Sequence, residues 1–110
     1  MGKAQRDKGA RYERKIVNML KDWGLVAMRV PLSGAVATHP DDVVIEADAG
    51  DIRIECKKRK KISKYLTDYL NSCDLVCIEE DRGQTRWLVG NETMRRLLLA
   101  YANQAENTCK

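Results

Sequence analysis

The apolar positions change period several times along the chain. Between Lys8 and Trp23, Ile16, Val17, Leu20 and Trp23 recur at i, i+1, i+4 and i+7, the spacing of one helical face. Gly24 follows where a helix commonly ends in a left-handed residue. Leu25 to Val30 predicts a short strand, closed by Pro31. Leu32 to Pro40 is small and loop-like, with Gly34 available for unusual dihedrals. Val43, Val44 and Ile45 form a compact apolar run that predicts a second strand, and Asp48-Ala49-Gly50-Asp51 has the composition of a turn. Ile52 to Lys57 then alternates, with Ile52, Ile54 and Cys56 on one side and Arg53, Glu55 and Lys57 on the other. These two strands predict a hairpin.

A short helix is expected from Ser63 to Asn71, with Tyr65, Leu66, Tyr69 and Leu70 as its stripe. Asp74 to Glu79 predicts a buried strand, Asp81 to Gln84 a turn, and Thr85 to Val89 a returning strand. Asn91 can cap a last helix whose apolar face is Met94, Leu97, Leu98 and Tyr101. The first seven or eight residues are expected to be a loose basic arm, and 103–110 a flexible tail. Helices alternating with strands in this order predict an α/β single domain, a mixed central β-sheet flanked by helices.

Composition narrows the class. A chain of 110 residues, 44% hydrophobic and 33% charged, fits one globular domain spanning 1–110. No apolar run approaches the roughly 18–20 residues of a membrane span, so no membrane partner is expected. The polar, basic start has no apolar stretch behind it, which predicts an intracellular, cytoplasmic protein. Net charge is +4, but the cations are clustered: Lys3, Arg6, Lys8, Arg11, Arg14 and Lys15 at the start, and the unbroken run Lys57, Lys58, Arg59, Lys60 and Lys61. Such clusters suit a polyphosphate partner, although a basic run can equally be a solvated face. The four cysteines, Cys56, Cys73, Cys77 and Cys109, include no CxxC pair. On a strand Cys73 and Cys77 would sit roughly 13 Å apart, too far to share a metal, and Cys56 and Cys77 read as small core residues.

The sharpest chemical signal is Glu55 with Lys57. On a strand both point to one face, where they could form a plain ion pair. A hairpin turning at Asp48–Asp51 brings Asp41 and Asp42 towards them, so that an aspartate, a glutamate and a lysine converge. Carboxylate oxygens suit Mg²⁺, which takes one or two of them and keeps several waters. A lysine beside them can orient a water or offset charge on a phosphorane-like transition state. The single histidine, His39, lies in the loop, and no Walker-type glycine loop is present, so no nucleotide cofactor is expected. Glu13 falls within the buried arc of Ile16, Val17 and Leu20. A carboxylate there is costly unless paired or metal-bound, but a position near the first turn would let the helix dipole favour it, and both readings stay open.

These residues resemble a family. From Lys8 to Lys60 the chain carries a K-G-x-x-x-E helix, an R-V-P-x-S-G loop, a P-D-x-V strand and an E-x-K strand. In this order they are similar to Holliday junction resolvases of the archaeal and phage-encoded kind, within the PD-(D/E)XK nuclease superfamily and its restriction-endonuclease-like fold. The resemblance implies that Glu13, Asp42 and Glu55 are catalytic metal ligands, with the Cys56 carbonyl as a further one, and that Lys57 acts on the attacking water or the transition state. Asp42 rather than Asp41 matches the family's 13-residue separation from Glu55. The resemblance also implies Mg²⁺, with Mn²⁺ substituting, hydrolysis to a 3′-hydroxyl and a 5′-phosphate, and a homodimer cutting two opposed strands of a four-way junction. Lys8, Arg11, Arg14, Arg29, Ser33, Lys58, Arg59, Lys60 and Lys61 are the expected DNA-binding residues.

Two other readings share these residues. One is a nuclease of the same superfamily acting on other branched, nicked or duplex DNA. The other is a non-catalytic nucleic-acid-binding module, against which the converging carboxylates argue, since they repel phosphate unless a cation lies between. At 110 residues no added recognition domain is expected, which favours reading DNA shape through its backbone. A phage origin, with the protein acting in the host cell, fits that compactness.

Overall fold

In a computed structural model, residues 3–30 and 42–104 are described, the first five of them by backbone alone. The chain runs α1 (Lys3–Asp22), β1 (Val26–Arg29), β2 (Val43–Glu46), β3 (Ile52–Ile54), α2 (Lys64–Leu70), β4 (Leu75–Glu79), β5 (Thr85–Val89) and α3 (Asn91–Ala102). All eight elements match those expected in type and order, and the class is α/β. The strands pair as two antiparallel sheets, β1-β2-β3 and β4-β5, where one mixed sheet was expected. Each pairing is an antiparallel one between consecutive strands; β2–β3 and β4–β5 are joined by short turns, whereas β1 and β2 are separated by residues 30–42.

By its internal contacts the chain divides into two compact units. One holds α1, β1, β2, β3 and the end of α3; the other runs from Arg59 to Leu98. In the first unit, α1 begins at Lys3, so the expected loose arm is helical from that residue. Ala4, Gln5, Arg6 and Lys8 are strong helix formers, and their propensity outweighs the unfavourable basic charge at a helix start that carries no acid. The helix ends as its sequence predicts. Gly24 has φ +99°. Its N–H donates to the Lys21 carbonyl at 2.9 Å, while the Leu25 N–H donates to the Leu20 carbonyl at 3.0 Å. That pair of bonds is the Schellman arrangement, which only a residue tolerant of positive φ closes without strain.

The Schellman turn delivers the chain into β1 and sets the core. Val43 and Ile45 of β2 are 0% and 1% exposed, and Leu20, Leu25, Ala27 and Val17 are also buried. Burying each of the larger aliphatic side chains contributes about 1.5–3 kcal/mol. The register is Val26↔Glu46 to Arg29↔Val43 on one side and Val43↔Ile54 to Ile45↔Ile52 on the other. Ala27, Arg29, Val43, Ile45, Ile52 and Ile54 therefore share one face of the sheet. The β2–β3 turn uses Gly50 at φ +131°, its N–H bonded to the Ala47 carbonyl at 3.0 Å. The Tyr101 hydroxyl of α3 donates to the Gly50 carbonyl at 2.8 Å, tying the end of the last helix to that turn.

In the second unit, α2 starts after Ser63, which makes no side-chain cap, and α3 starts with the Gly90 carbonyl accepting from the Met94 N–H. The β4–β5 hairpin turns through Arg82 at φ 62° and Gly83. Strand β4 was expected to be buried; instead Val76 and Ile78 are half-buried while Leu75, Cys77 and Glu79 are exposed. Cys77 is thus a surface thiol and not the expected core residue, because the strand alternates with one open face. No helix among the described residues is long and apolar enough to cross a membrane.

Candidate active site

The β2–β3 pairing places the candidate chemistry. The paired register ends at Val43↔Ile54, so Asp42 and Glu55 are the next residue on each strand. There the ladder slips by one residue: the Asp42 N–H donates to the Ile54 carbonyl at 2.9 Å, while the Asp42 carbonyl accepts from the Val30 N–H at 3.0 Å on the β1 side. The ladder then changes partner. The Cys56 N–H donates to the Asp42 side chain, Oδ2, at 2.8 Å. The donor that would continue the strand is thereby taken by a carboxylate. This explains why β3 stops at Ile54 although its alternation continues to Lys57. Glu55 and Lys57 sit just beyond the strand end, with Lys57 Nζ 3.3 Å from Glu55 Oε1. Both are exposed, so the ion pair is there as one sequence reading allowed, and it contributes little stability by itself.

Glu13 lies deep within α1, ten residues past its start, which removes the first-turn dipole as its explanation. Its carboxylate is paired: Arg29 Nε donates to Glu13 Oε1 at 3.1 Å, with the two side chains 38% and 20% exposed. Arg29, expected as a phosphate contact, is therefore held by Glu13 in this state. The pairing was missed in the sequence, although both signals were present: Glu13 on the buried arc of the helix, and Arg29 on the same strand face as Ala27.

Cys56 reports how these groups gather. Burial, followed by the negative charges of Asp42 and then Glu13, pushes its thiol pKa up. One thiol thus feels carboxylates from α1 and from the start of β2. Among the described residues no three His, Cys, Asp or Glu side chains gather into a ready-made metal cage. The donor chemistry nevertheless fits a hard divalent ion. Glu13, Asp42, Glu55 and the Cys56 carbonyl offer only oxygen, and Mg²⁺ needs one or two carboxylates beside its waters.

Of the expected DNA-binding residues, Lys8, Arg11 and Arg14 are exposed on α1, and Lys58 holds its ammonium 5.9 Å from the centre of the Tyr12 ring. Arg59, Lys60 and Lys61 are exposed in the second unit. Ser33 and Asp41 lie outside the described residues, so the alternative aspartate has no described geometry.

The α/β element order and its β2–β3 hairpin are consistent with the restriction-endonuclease-like fold. The chain belongs to the archaeal Holliday junction resolvase family (Hjc), whose model matches residues 4–76. That stretch contains Glu13, Asp42, Glu55 and Lys57, and the family acts as nucleases on branched DNA. Searches of the curated proteins and of the solved structures found no match.

Proposed function

We propose that this chain is a structure-selective endonuclease that resolves four-way DNA junctions by metal-dependent phosphodiester hydrolysis. The observation that carries this reading is the Asp42–Cys56 contact, which joins the Asp42 carboxylate to the backbone between Glu55 and Lys57 within the segment matched by the resolvase family. Glu13, Asp42, Glu55 and the Cys56 carbonyl would hold Mg²⁺, or Mn²⁺ in its place. When bound, the ion supplies Lewis acidity at the scissile phosphate and lowers the pKa of a water.

The chain's own residues do the rest. Asp42 is fixed by both of its backbone bonds and by the Cys56 N–H, so its carboxylate is positioned before substrate arrives. Lys57, next to Glu55, orients the attacking water and offsets negative charge as the phosphorus becomes five-coordinate. Water adds to phosphorus, the P–O3′ bond breaks, and the leaving oxygen takes a proton, giving a 3′-hydroxyl and a 5′-phosphate. Arg29 can exchange its Glu13 contact for a phosphate oxygen, with Arg14 as a second contact. Two opposed cuts in a two-fold junction call for two sites related by the same symmetry, hence a homodimer.

The test is incubation of a synthetic four-way junction and a linear duplex of the same sequences with the protein in EDTA, then with Mg²⁺ added back. The reading requires junction cutting that appears only with the ion. Cutting in EDTA defeats the mechanism. Equal cutting of the duplex keeps the nuclease but removes the junction selectivity.

A further inference from the structure

Each carboxylate proposed to hold the ion already has a partner of its own within the chain. Asp42 accepts the Cys56 N–H at 2.8 Å. Glu55 faces Lys57 Nζ at 3.3 Å, and Glu13 faces Arg29, whose Nε donates to Oε1 at 3.1 Å. The two ion pairs are not equal. The Glu13 side chain is 20% exposed, whereas that of Glu55 is 44% exposed. Water and salt screen an open pair, and a carboxylate drawn out of water holds a neighbouring cation more firmly. The Glu13–Arg29 pair is therefore the stronger of the two. It also joins separate elements, α1 and the last residue of β1, sixteen residues apart. The next residue, Val30, donates its N–H to the Asp42 carbonyl at 3.0 Å. The end of β1 thus touches two of the three acids, Glu13 through a side chain and Asp42 through the backbone.

A carboxylate on the inner arc of a helix needs a counter-charge. A divalent ion can supply it, and so can Arg29. Arginine stays protonated at every working pH, so this cation cannot be neutralised and can only move away. A guanidinium and a divalent ion at one carboxylate repel each other. We infer that Arg29 is the internal counter-ion of the metal site: it holds Glu13 in the absence of the ion, and a divalent ion binds fully only when Arg29 leaves that carboxylate. The inference rests on the proposed function for the ion, and adds to it a regulation of the same site. The free protein holds its ion weakly, and a phosphate that draws Arg29 away opens Glu13 to the ion. By linkage, each of these ligands then favours the other.

The test measures ion binding by the full chain without DNA. Mn²⁺ is titrated and the free ion counted by electron paramagnetic resonance, for the wild type, Arg29→Gln, Arg29→Lys and Lys21→Gln. Lys21, exposed in the last turn of α1, controls for the loss of one positive charge. Melting curves in EDTA confirm that each variant is folded. The upper end of the range for a partly exposed ion pair corresponds to about fivefold in affinity, so Arg29→Gln should bind Mn²⁺ about fivefold more tightly than the wild type. Arg29→Lys keeps the charge and should stay within about twofold of the wild type, as should Lys21→Gln. In the wild type the Arg29 Nε–H resonance, identified by its absence from Arg29→Lys, should shift as Mg²⁺ is added. Unchanged or weaker Mn²⁺ binding by Arg29→Gln overturns the inference, as does an Arg29 resonance that Mg²⁺ leaves in place. Equal tightening in Lys21→Gln overturns it too, because net charge alone would then account for the gain. Junction cutting by the wild type is read alongside. Tighter binding by Arg29→Gln, in a protein whose wild type cuts no junction, would uphold the counter-ion and sink the nuclease reading; unchanged binding with metal-dependent cutting would do the reverse.

Discussion

Asp42 has two tasks that two substitutions separate. Structurally it accepts the Cys56 N–H at 2.8 Å, a part-buried bond to a charged acceptor. Bonds of that kind contribute about 1.5–3 kcal/mol, and removing the acceptor strands the donor. Asp42→Ala should therefore cost about 2 kcal/mol, which for a domain of this size is a fall in Tm of about 10 °C. Asp42→Asn keeps an amide oxygen where Oδ2 stands. It loses only the charge assistance, roughly half of the bond. Its Tm should stay within about 4 °C of the wild type. Chemically the two should be equally dead, because neither retains the carboxylate. The assay is thermal melting followed by circular dichroism in EDTA, so that metal binding does not add to stability, with junction cleavage alongside. If Asp42→Ala melts with the wild type, the Cys56 contact is not holding the strand end. If Asp42→Asn falls as far as alanine, the charge itself is structural.

Three further outcomes follow from the geometry. Lys57→Met should leave Tm unchanged within about 2 °C, since its partner Glu55 is exposed, yet slow junction cutting by about 10²–10³-fold, as read in single-turnover assays. Glu13→Gln should cost no more than about 1 kcal/mol in urea unfolding, because the Arg29 pair is partly solvated, while cleavage is lost and Mg²⁺ can no longer restore it within the millimolar range. Gly24→Ala should destabilise by about 1 kcal/mol or more, since φ +99° closes the Schellman turn and a Cβ strains it, with cutting at low temperature unaffected.

Much of this architecture is legible in the sequence because its signals are local. The apolar spacing of Ile16, Val17 and Leu20 draws α1, Gly24 stops it, and the Asp48–Asp51 turn folds β2 onto β3. Glu13 announces itself as a carboxylate on a buried arc. What escaped depends on contacts between distant residues or on weighing charge against propensity. The basic start reads as a loose arm, yet its residues favour helix, and α1 begins at Lys3. The alternation through Lys57 promises a longer β3, but the Asp42 side chain takes the Cys56 N–H and ends the ladder. The division into two sheets, and the open face that leaves Cys77 exposed, are set by pairing and packing that no local pattern encodes. The basic runs read alike in sequence, although Lys58 is held over Tyr12 and Lys57 is paired with Glu55.

The central claim is that Asp42 and Glu55 form the catalytic heart of a junction-resolving nuclease. The most direct measurement maps the cuts made in a synthetic four-way junction with Mg²⁺ by the wild type, Asp42→Asn and Glu55→Gln, beside linear duplex of the same sequences. The account predicts paired, symmetric cuts in the junction alone, bearing 5′-phosphates, and lost in both variants while each still binds the junction. Retained cutting by either variant would contradict it, as would a wild type that binds the junction but cuts nothing when Mg²⁺ is supplied.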